Sequence, residues 1–360
     1  MSCRRRAARS SSVRLHDGGR RTGSRLIAAD VVDAVLEGAV VPSFTRVGCA
    51  VRSRLDDWTP LAEYELDGRV VLITGATSGL GRAAAELLAR AQATVILLGR
   101  EAVKTRHVRN ELAAATSNDS VHDVVADLTD LASVNDAAAE LLERFDQLDA
   151  VLHNAGALHA ERQTTRDGLE ATVAVQVVAP FLLTSRLLDR LRAAGPGRVL
   201  TMSSGGMYTA PLAVDDLEMA ADNYRGTEQY ARAKRAQVAL NEMWAGAVDR
   251  QDVVFHAIHP GWADTPGVET SLPRFHRLMR PLLRTPAEGA DTIAWLAAED
   301  GRPLAGTGGF WHDRRRRPIH RLGRTRHSDT AERREALWAW CVERSGVDPL
   351  HPARVTAPNT

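Results

Sequence analysis

Lysine is almost missing from this chain: of its 46 basic residues only Lys104 and Lys234 are lysines, so arginine carries nearly all the positive charge. The three cysteines, Cys3, Cys49 and Cys341, are too few and too scattered for a disulfide framework or a thiolate metal site. A reduced, cytoplasmic setting is therefore the default expectation. The formal net charge is only +1, which gives no electrostatic reason to expect a nucleic-acid partner. No apolar run reaches membrane-spanning length; the stretch 31–51 is broken by Asp33, Glu37, Pro42 and Arg46. None of the twelve histidines, His256 and His259 included, forms a pattern with carboxylates that demands a metal.

What remains is an ordinary globular composition, 44% apolar and 25% charged, in a chain long enough for one large α/β domain with extensions or for two small domains. Residues 1–25 hold eight arginines against the single acid Asp17. Arg- and Ser-rich composition of this kind can mark an organellar transit peptide, but a disordered basic tail, or an initiator Met placed too far upstream, is the simpler reading, and fold reasoning begins after it. Residues 26–68 carry a weak helical pattern around Asp30 to Glu37 and read as a helical extension that packs on the domain or faces a partner.

From Arg69 onward short β-branched runs alternate with amphipathic helical patterns, the signature of βαβ units on a parallel sheet. Strands are expected at 70–74, 94–98, 121–126, 150–153, 198–202 and 253–258, with a seventh at 308–311. Helices are expected at 80–90 and 131–145, and from Tyr230 to Trp244. A long helix spans 169–191, where Pro180 should kink it or mark a boundary. The run Arg314 to Arg317 reads as a solvated loop, and 331–342 as a closing helix.

Against the scarcity of lysine and tyrosine, Tyr230-Ala-Arg-Ala-Lys234 stands out. Random placement would give about 0.02 Tyr-x-x-x-Lys pairs in such a chain. On a helix, positions i and i+4 share a face, so both heads reach one ligand. A nearby ammonium stabilises phenolate and brings a tyrosine towards the range of a general acid or base. An exposed helical pair without a role is the competing explanation.

The turn Thr74-Gly75-Ala76-Thr77-Ser78-Gly79-Leu80-Gly81 follows the first strand and opens a helix. Gly75, Gly79 and Gly81 let the backbone approach a dinucleotide pyrophosphate, while Thr77, Ser78 and Leu80 sit where the helix N-terminus presents free N–H groups. An acidic residue ending strand two would favour NAD. This chain has Gly99 followed by Arg100, whose guanidinium suits a 2′-phosphate, so NADP(H) is expected over NAD(H).

Taken together, the Thr74–Gly81 turn, Asn154-Ala155-Gly156, Ser204 and Tyr230-x-x-x-Lys234 resemble the short-chain dehydrogenase/reductase family, from about Arg69 to Trp311. Closer still, Ser203-Ser204-Gly205-Gly206-Met207, the segment His259 to Val268 and Gly309 to Arg314 are similar to a subgroup of it called member 12. The resemblance implies a single Rossmann-type, doubly wound parallel sheet of about seven strands flanked by helices, an α/β fold. Its expected boundaries are a basic tail at 1–25, an extension at 26–68, the Rossmann-type unit at 69–313 and a C-terminal extension at 314–360. It further implies Tyr230 as general acid/base and Lys234 as the group that binds the nicotinamide ribose and lowers the Tyr230 pKa. Ser204 would orient the substrate oxygen. Asp127, with Leu128 beside it, would meet the adenine; Asn154, Ala155 and Gly156 would hold sheet and cofactor together. Pro260, Gly261 and Thr265 would contact the nicotinamide amide and the phosphates.

One departure concerns proton delivery. The family commonly has an Asn on the long helix, where its backbone carbonyl holds a water joined to the lysine; here the residue is Gln176. The resemblance also implies a homodimer or homotetramer paired through the helices of Gln176 and Tyr230, unless the extensions block it. The apolar side chains of 268–283 imply a lid over a lipophilic carbonyl or alcohol substrate, or simple packing on the domain. The leading expectation is an NADP-dependent oxidoreductase that interconverts carbonyl and alcohol. Its rivals are a catalytically silent NADP(H)-binding sensor or scaffold, and reduction of a C=C bond on the same scaffold. Ser204 lacks the flanking glycines of an esterase elbow, which argues against acyl transfer.

Overall fold

The computed structural model describes residues 23–350; the basic tail expected at 1–25 lies almost wholly outside the described residues. Eight strands form one sheet in the order β3-β2-β1-β4-β5-β6-β7-β8. They are β1 (Val70–Thr74), β2 (Thr94–Gly99), β3 (Val121–Val125), β4 (Ala150–His153), β5 (Gly197–Met202), β6 (Val253–Ile258), β7 (Gly309–His312) and β8 (Arg315–Arg317). All neighbours are parallel except the β7–β8 pair. Strands β4, β5 and β6 are buried along their whole length, as near-continuous apolar runs demand when helices cover both faces.

The covering helices include α4 (Gly79–Arg90), α5 (Ala102–Thr116), α6 (Leu131–Arg144), α9 (Gly226–Ala247) and α12 (Pro286–Ala298). Their starts are encoded locally. Asp130 accepts the Ala132 N–H at 3.1 Å ahead of α6, and Thr285 with Glu288 forms a reciprocal capping box ahead of α12. One core layer gathers Phe181, Leu187, Trp244 and Phe255; the other gathers Leu88, Val95, Ile293 and Trp295.

The expected long helix is present but broken. It runs as α7 (Ala171–Val173), a π turn over Ala174–Val178, and α8 (Ala179–Ala194), with Pro180 in the first turn of α8. Pro180 has no N–H to give the Gln176 carbonyl four residues earlier, and that carbonyl instead accepts from Gln237 Nε2 at 2.7 Å. By length and composition 171–194 is apolar enough to cross a membrane, contrary to the expectation of no such stretch, but 83% of its most apolar window is buried inside the protein. It is a core helix.

The solvated loop expected at Arg314 to Arg317 is corrected to an edge strand with ordered arginines. Arg314 is buried, bonded to both oxygens of Asp291 at 2.7 Å and lying over the Trp58 ring. Arg315 pairs with Asp56 and Asp30, and Arg317 with Asp33. The acids that order Arg315 and Arg317 lie more than two hundred residues earlier, in α1 (Gly23–Gly38) and just after α3 (Arg46–Leu55), with α2 (Val40–Phe44) between. The sheet therefore runs on to Arg317, and the N-terminal extension is fastened to its edge. At the C-terminus, past α10 (Pro266–Ser271), α11 (Pro273–Met279) and α13 (Gly323–His327), α14 (Ala331–Ser345) packs on α8 and α9. Trp338 meets Phe181 and Trp244 there, and Leu337 and Cys341 are fully enclosed. This helix lies against the two helices through which pairing was expected.

Candidate active site

A cleft of about 950 Å³ opens at the C-terminal ends of β1, β2, β4, β5 and β6. It lies where the chain leaves β1 for β2 on one side while β4 joins on the other, the switch point at which open α/β sheets bind ligands. Of the residues singled out from sequence, all line the cleft except Gly81 and Gln176, which sit behind its wall.

The turn between β1 and α4 forms one side. Gly81 is held so close to the strand ends that an added Cβ would lie 2.4 Å from Asn154 Nδ2 and 2.4 Å from the Gly75 carbonyl oxygen. Asn154 Nδ2 donates to the Thr74 carbonyl at 3.0 Å, and its backbone N–H donates to Thr74 Oγ1 at 3.0 Å. Asn154 is thus a clip between β1 and β4, while Ser78, Gly79 and Leu80 bring the uncapped start of α4 to the cleft wall. At the far end, Arg100 and Lys104 line the cleft as exposed cations. Arg100 reaches Glu101 only at 4.0 Å. Asp127, across from them, is fixed by Thr129, whose N–H and hydroxyl donate to Oδ1 at 2.9 and 2.7 Å.

Midway along the cleft three side chains converge from β5 and α9. Ser204 follows β5 and accepts the Gly206 N–H at 3.3 Å. Tyr230 and Lys234 project from one face of α9, with Lys234 Nζ 5.3 Å from the Tyr230 ring centre. Lys234 is buried and donates to the Met202 carbonyl at 2.7 Å. Burial lowers its ammonium to about 7, and burial raises the Tyr230 phenol, a rise the Ser204 hydroxyl opposes. Enclosure and the Ser204 hydroxyl are thus what set the Tyr230 phenol, rather than the lysine charge expected to lower it.

Gln176 lies behind this trio. Its Nε2 donates to the Ala157 carbonyl at 2.8 Å, while its Oε1 is buried without a partner. The loop after β6 closes the nicotinamide side: Gly261 adopts φ +76°, and its N–H donates to His259 Nδ1 at 2.9 Å. His259 thus shapes the loop, and Thr265 caps α10 by accepting the Val268 N–H at 3.3 Å. Beyond it Val268, Leu272 and Phe275 face the cleft with Trp262, and Phe275 meets the Trp262 ring edge-on at 5.1 Å.

These features fit a nicotinamide dinucleotide: close backbone approach at Gly81, free helix N–H groups, and two cations at the adenosine end. The comparisons agree. A family model described as short chain dehydrogenase matches residues 69–274. The chain belongs to the short-chain dehydrogenase/reductase family. It is 35% identical over 278 residues to human dehydrogenase/reductase SDR family member 12, covering 76% of this chain and 86% of that protein. Human retinol dehydrogenase 12 is 32% identical, with 79% and 88% covered. Among solved structures, a short chain dehydrogenase from Escherichia coli CFT073 complexed with NADPH aligns with a TM-score of 0.57 at 27% identity, covering 69% of this chain and 98% of that one. This short-chain dehydrogenase/reductase is accordingly an oxidoreductase acting between CH–OH and C=O with a nicotinamide cofactor.

Sequence reading overlooked Lys104 and Trp262 as site residues. Lysine scarcity was the available signal for Lys104: both lysines of the chain line this cleft. Trp262 had no such signal, because its place depends on how the extension packs.

Proposed function

We propose that this protein is an NADP-dependent carbonyl reductase or alcohol dehydrogenase acting on a lipophilic substrate, with Tyr230 as general acid/base. The observation that carries the reading is the convergence of Ser204, Tyr230 and Lys234 at mid-cleft, with apolar walls on one side and Arg100 and Lys104 at the far end. The bound nicotinamide supplies or accepts the hydride. Ser204 Oγ orients the substrate oxygen and stabilises charge that develops on it. During reduction Tyr230 gives its phenolic proton to that oxygen; its raised pKa keeps the proton in place until then. Lys234 would hold the nicotinamide ribose and would help return a proton to the Tyr230 phenolate. Arg100 and Lys104 support NADP(H), because neither is committed to a strong ion pair and a 2′-phosphate offers both a partner. Val268, Leu272 and Phe275 support an apolar substrate.

A second reading, a cofactor sensor without turnover, draws on one feature: the Gln176 carbonyl that would hold a relay water already accepts from Gln237. Tyr230→Phe separates the two. For a reductase, turnover of an aldehyde and ketone panel falls by about a thousandfold while the Kd for NADPH stays within threefold. Full activity in that variant would overturn the mechanism, and tight NADPH binding without wild-type turnover on the panel would favour the sensor.

A further inference from the structure

We propose that the N-terminal extension, residues 29–58, positions the active-site loop 259–262, and that Phe44 is the residue through which it acts. The inference rests on the reductase reading for its kinetic consequence but not for its structural one. Phe44 touches the loop twice. Its carbonyl accepts the Trp262 N–H at 2.7 Å, and its ring lies 4.3 Å from the His259 ring and 5.8 Å from that of Trp262. An added Cβ on Gly205, the residue after Ser204, would stand 2.8 Å from His259 Nε2 and 3.3 Å from Phe44 Cε2. The two rings therefore form the backing of the segment that presents Ser204, and Trp262 carries the contact on to Phe275 in the lid.

Two buried arginines fix this arrangement. Arg284 donates to the carbonyls of Ser43, Phe44 and Thr45 at 3.1 to 3.3 Å and to the Pro260 carbonyl at 3.3 Å. It also grips both oxygens of Asp313. Arg52 donates to the same Asp313 at 2.7 Å, to Asp33 at 2.6 Å and to the Ser43 carbonyl at 3.1 Å. A guanidinium with every donor engaged in a dry site resists displacement, since each broken bond strands a buried polar group. Gly261 has no side chain where Arg284 passes; an added Cβ would lie 2.3 Å from its Nε. Phe44, Arg52, Arg284 and Asp313 all fall outside residues 69–274, the part matched by the family model. The backing for a loop of the shared unit thus comes from segments outside residues 69–274.

The test uses the full chain with Phe44→Ala, and Phe44→Leu as the milder change should alanine fail to fold. Leu61→Ala serves as control: Leu61 is buried in the layer of Leu88 and Trp295, a different cluster from that of Phe44. The expected result for Phe44→Ala is a kcat/KM lowered about 10- to 100-fold, mostly in kcat, with the NADPH Kd within about threefold, because misplacing reacting groups by an ångström costs on that order. Hydrogen exchange should accelerate at the Trp262 amide and leave β1 to β3 unchanged. Leu61→Ala should lower the Tm comparably and keep kcat/KM within about twofold. An unchanged loop exchange rate in the Phe44 variants, or equal kinetic loss in the Leu61 control, would overturn the proposal. If the wild-type protein turned nothing over, the exchange contrast would still decide the positioning role, and only the reductase reading would fall.

Discussion

Lys234 should make the ligand-free protein less stable than a variant that lacks it. Its side chain is 2% exposed, and burial lowers its pKa from 10.5 to about 7. A shift of that size corresponds to about 5 kcal/mol of preference for the neutral form on folding, at about 1.4 kcal/mol per unit. The folded pKa lies below the unfolded one, so the folded state binds fewer protons between the two values. Stability is therefore full above about pH 10.5 and falls as the pH drops towards 7. Lys234→Met keeps the volume and removes the titration, at the cost of leaving the Met202 carbonyl without its donor, about 1 to 3 kcal/mol. The net expectation at pH 7 is a Lys234→Met protein about 2 to 4 kcal/mol more stable than wild type, yet inactive. Urea unfolding of both proteins from pH 6 to 10.5 is the assay. The difference should shrink with rising pH and vanish or reverse near pH 10. A difference that does not change with pH would refute the argument, because it would mean that the enclosed ammonium costs nothing.

At the adenosine end, Arg100→Ala with Lys104→Ala should raise the Kd for NADPH by about 10- to 100-fold and leave that for NADH nearly unchanged, by fluorescence titration. An equal loss for both cofactors would remove the 2′-phosphate role. Gly81→Ala places a methyl 2.4 Å from Asn154 Nδ2 and the Gly75 carbonyl. It should abolish detectable cofactor binding and lower stability by about 1 to 3 kcal/mol, and a variant binding NADPH normally would show that the turn has more slack than its contacts imply.

Much of this protein was written in segments short enough to read locally. The β-branched runs marked the strands, the Gly75–Gly81 turn marked one side of the cleft, and Tyr230 with Lys234 shared a face because four residues make about one helical turn. Each of these signals spans no more than a strand, a turn or a helix, so periodicity and spacing sufficed. Pro180 could be flagged as an interruption, but not as the cause of a π turn whose freed carbonyl at Gln176 takes a donor 61 residues away.

The arginines resisted such reading altogether. An arginine's sequence neighbours do not say whether it is solvated, and Arg314 to Arg317 looked like any exposed basic run. The acids that hold Arg315 and Arg317 are in the N-terminal extension, Arg314 is held by Asp291, and Arg52 meets Asp313 across 261 residues. Pairing of that kind depends on where α1 to α3 come to rest against β7 and β8, which is a property of the packed molecule. The strand runs, the glycine turn and the spacing of Tyr230 and Lys234 were legible because each is set by a short stretch of backbone. Tertiary structure alone decided what backs the site, because long side chains choose partners only after the elements have docked.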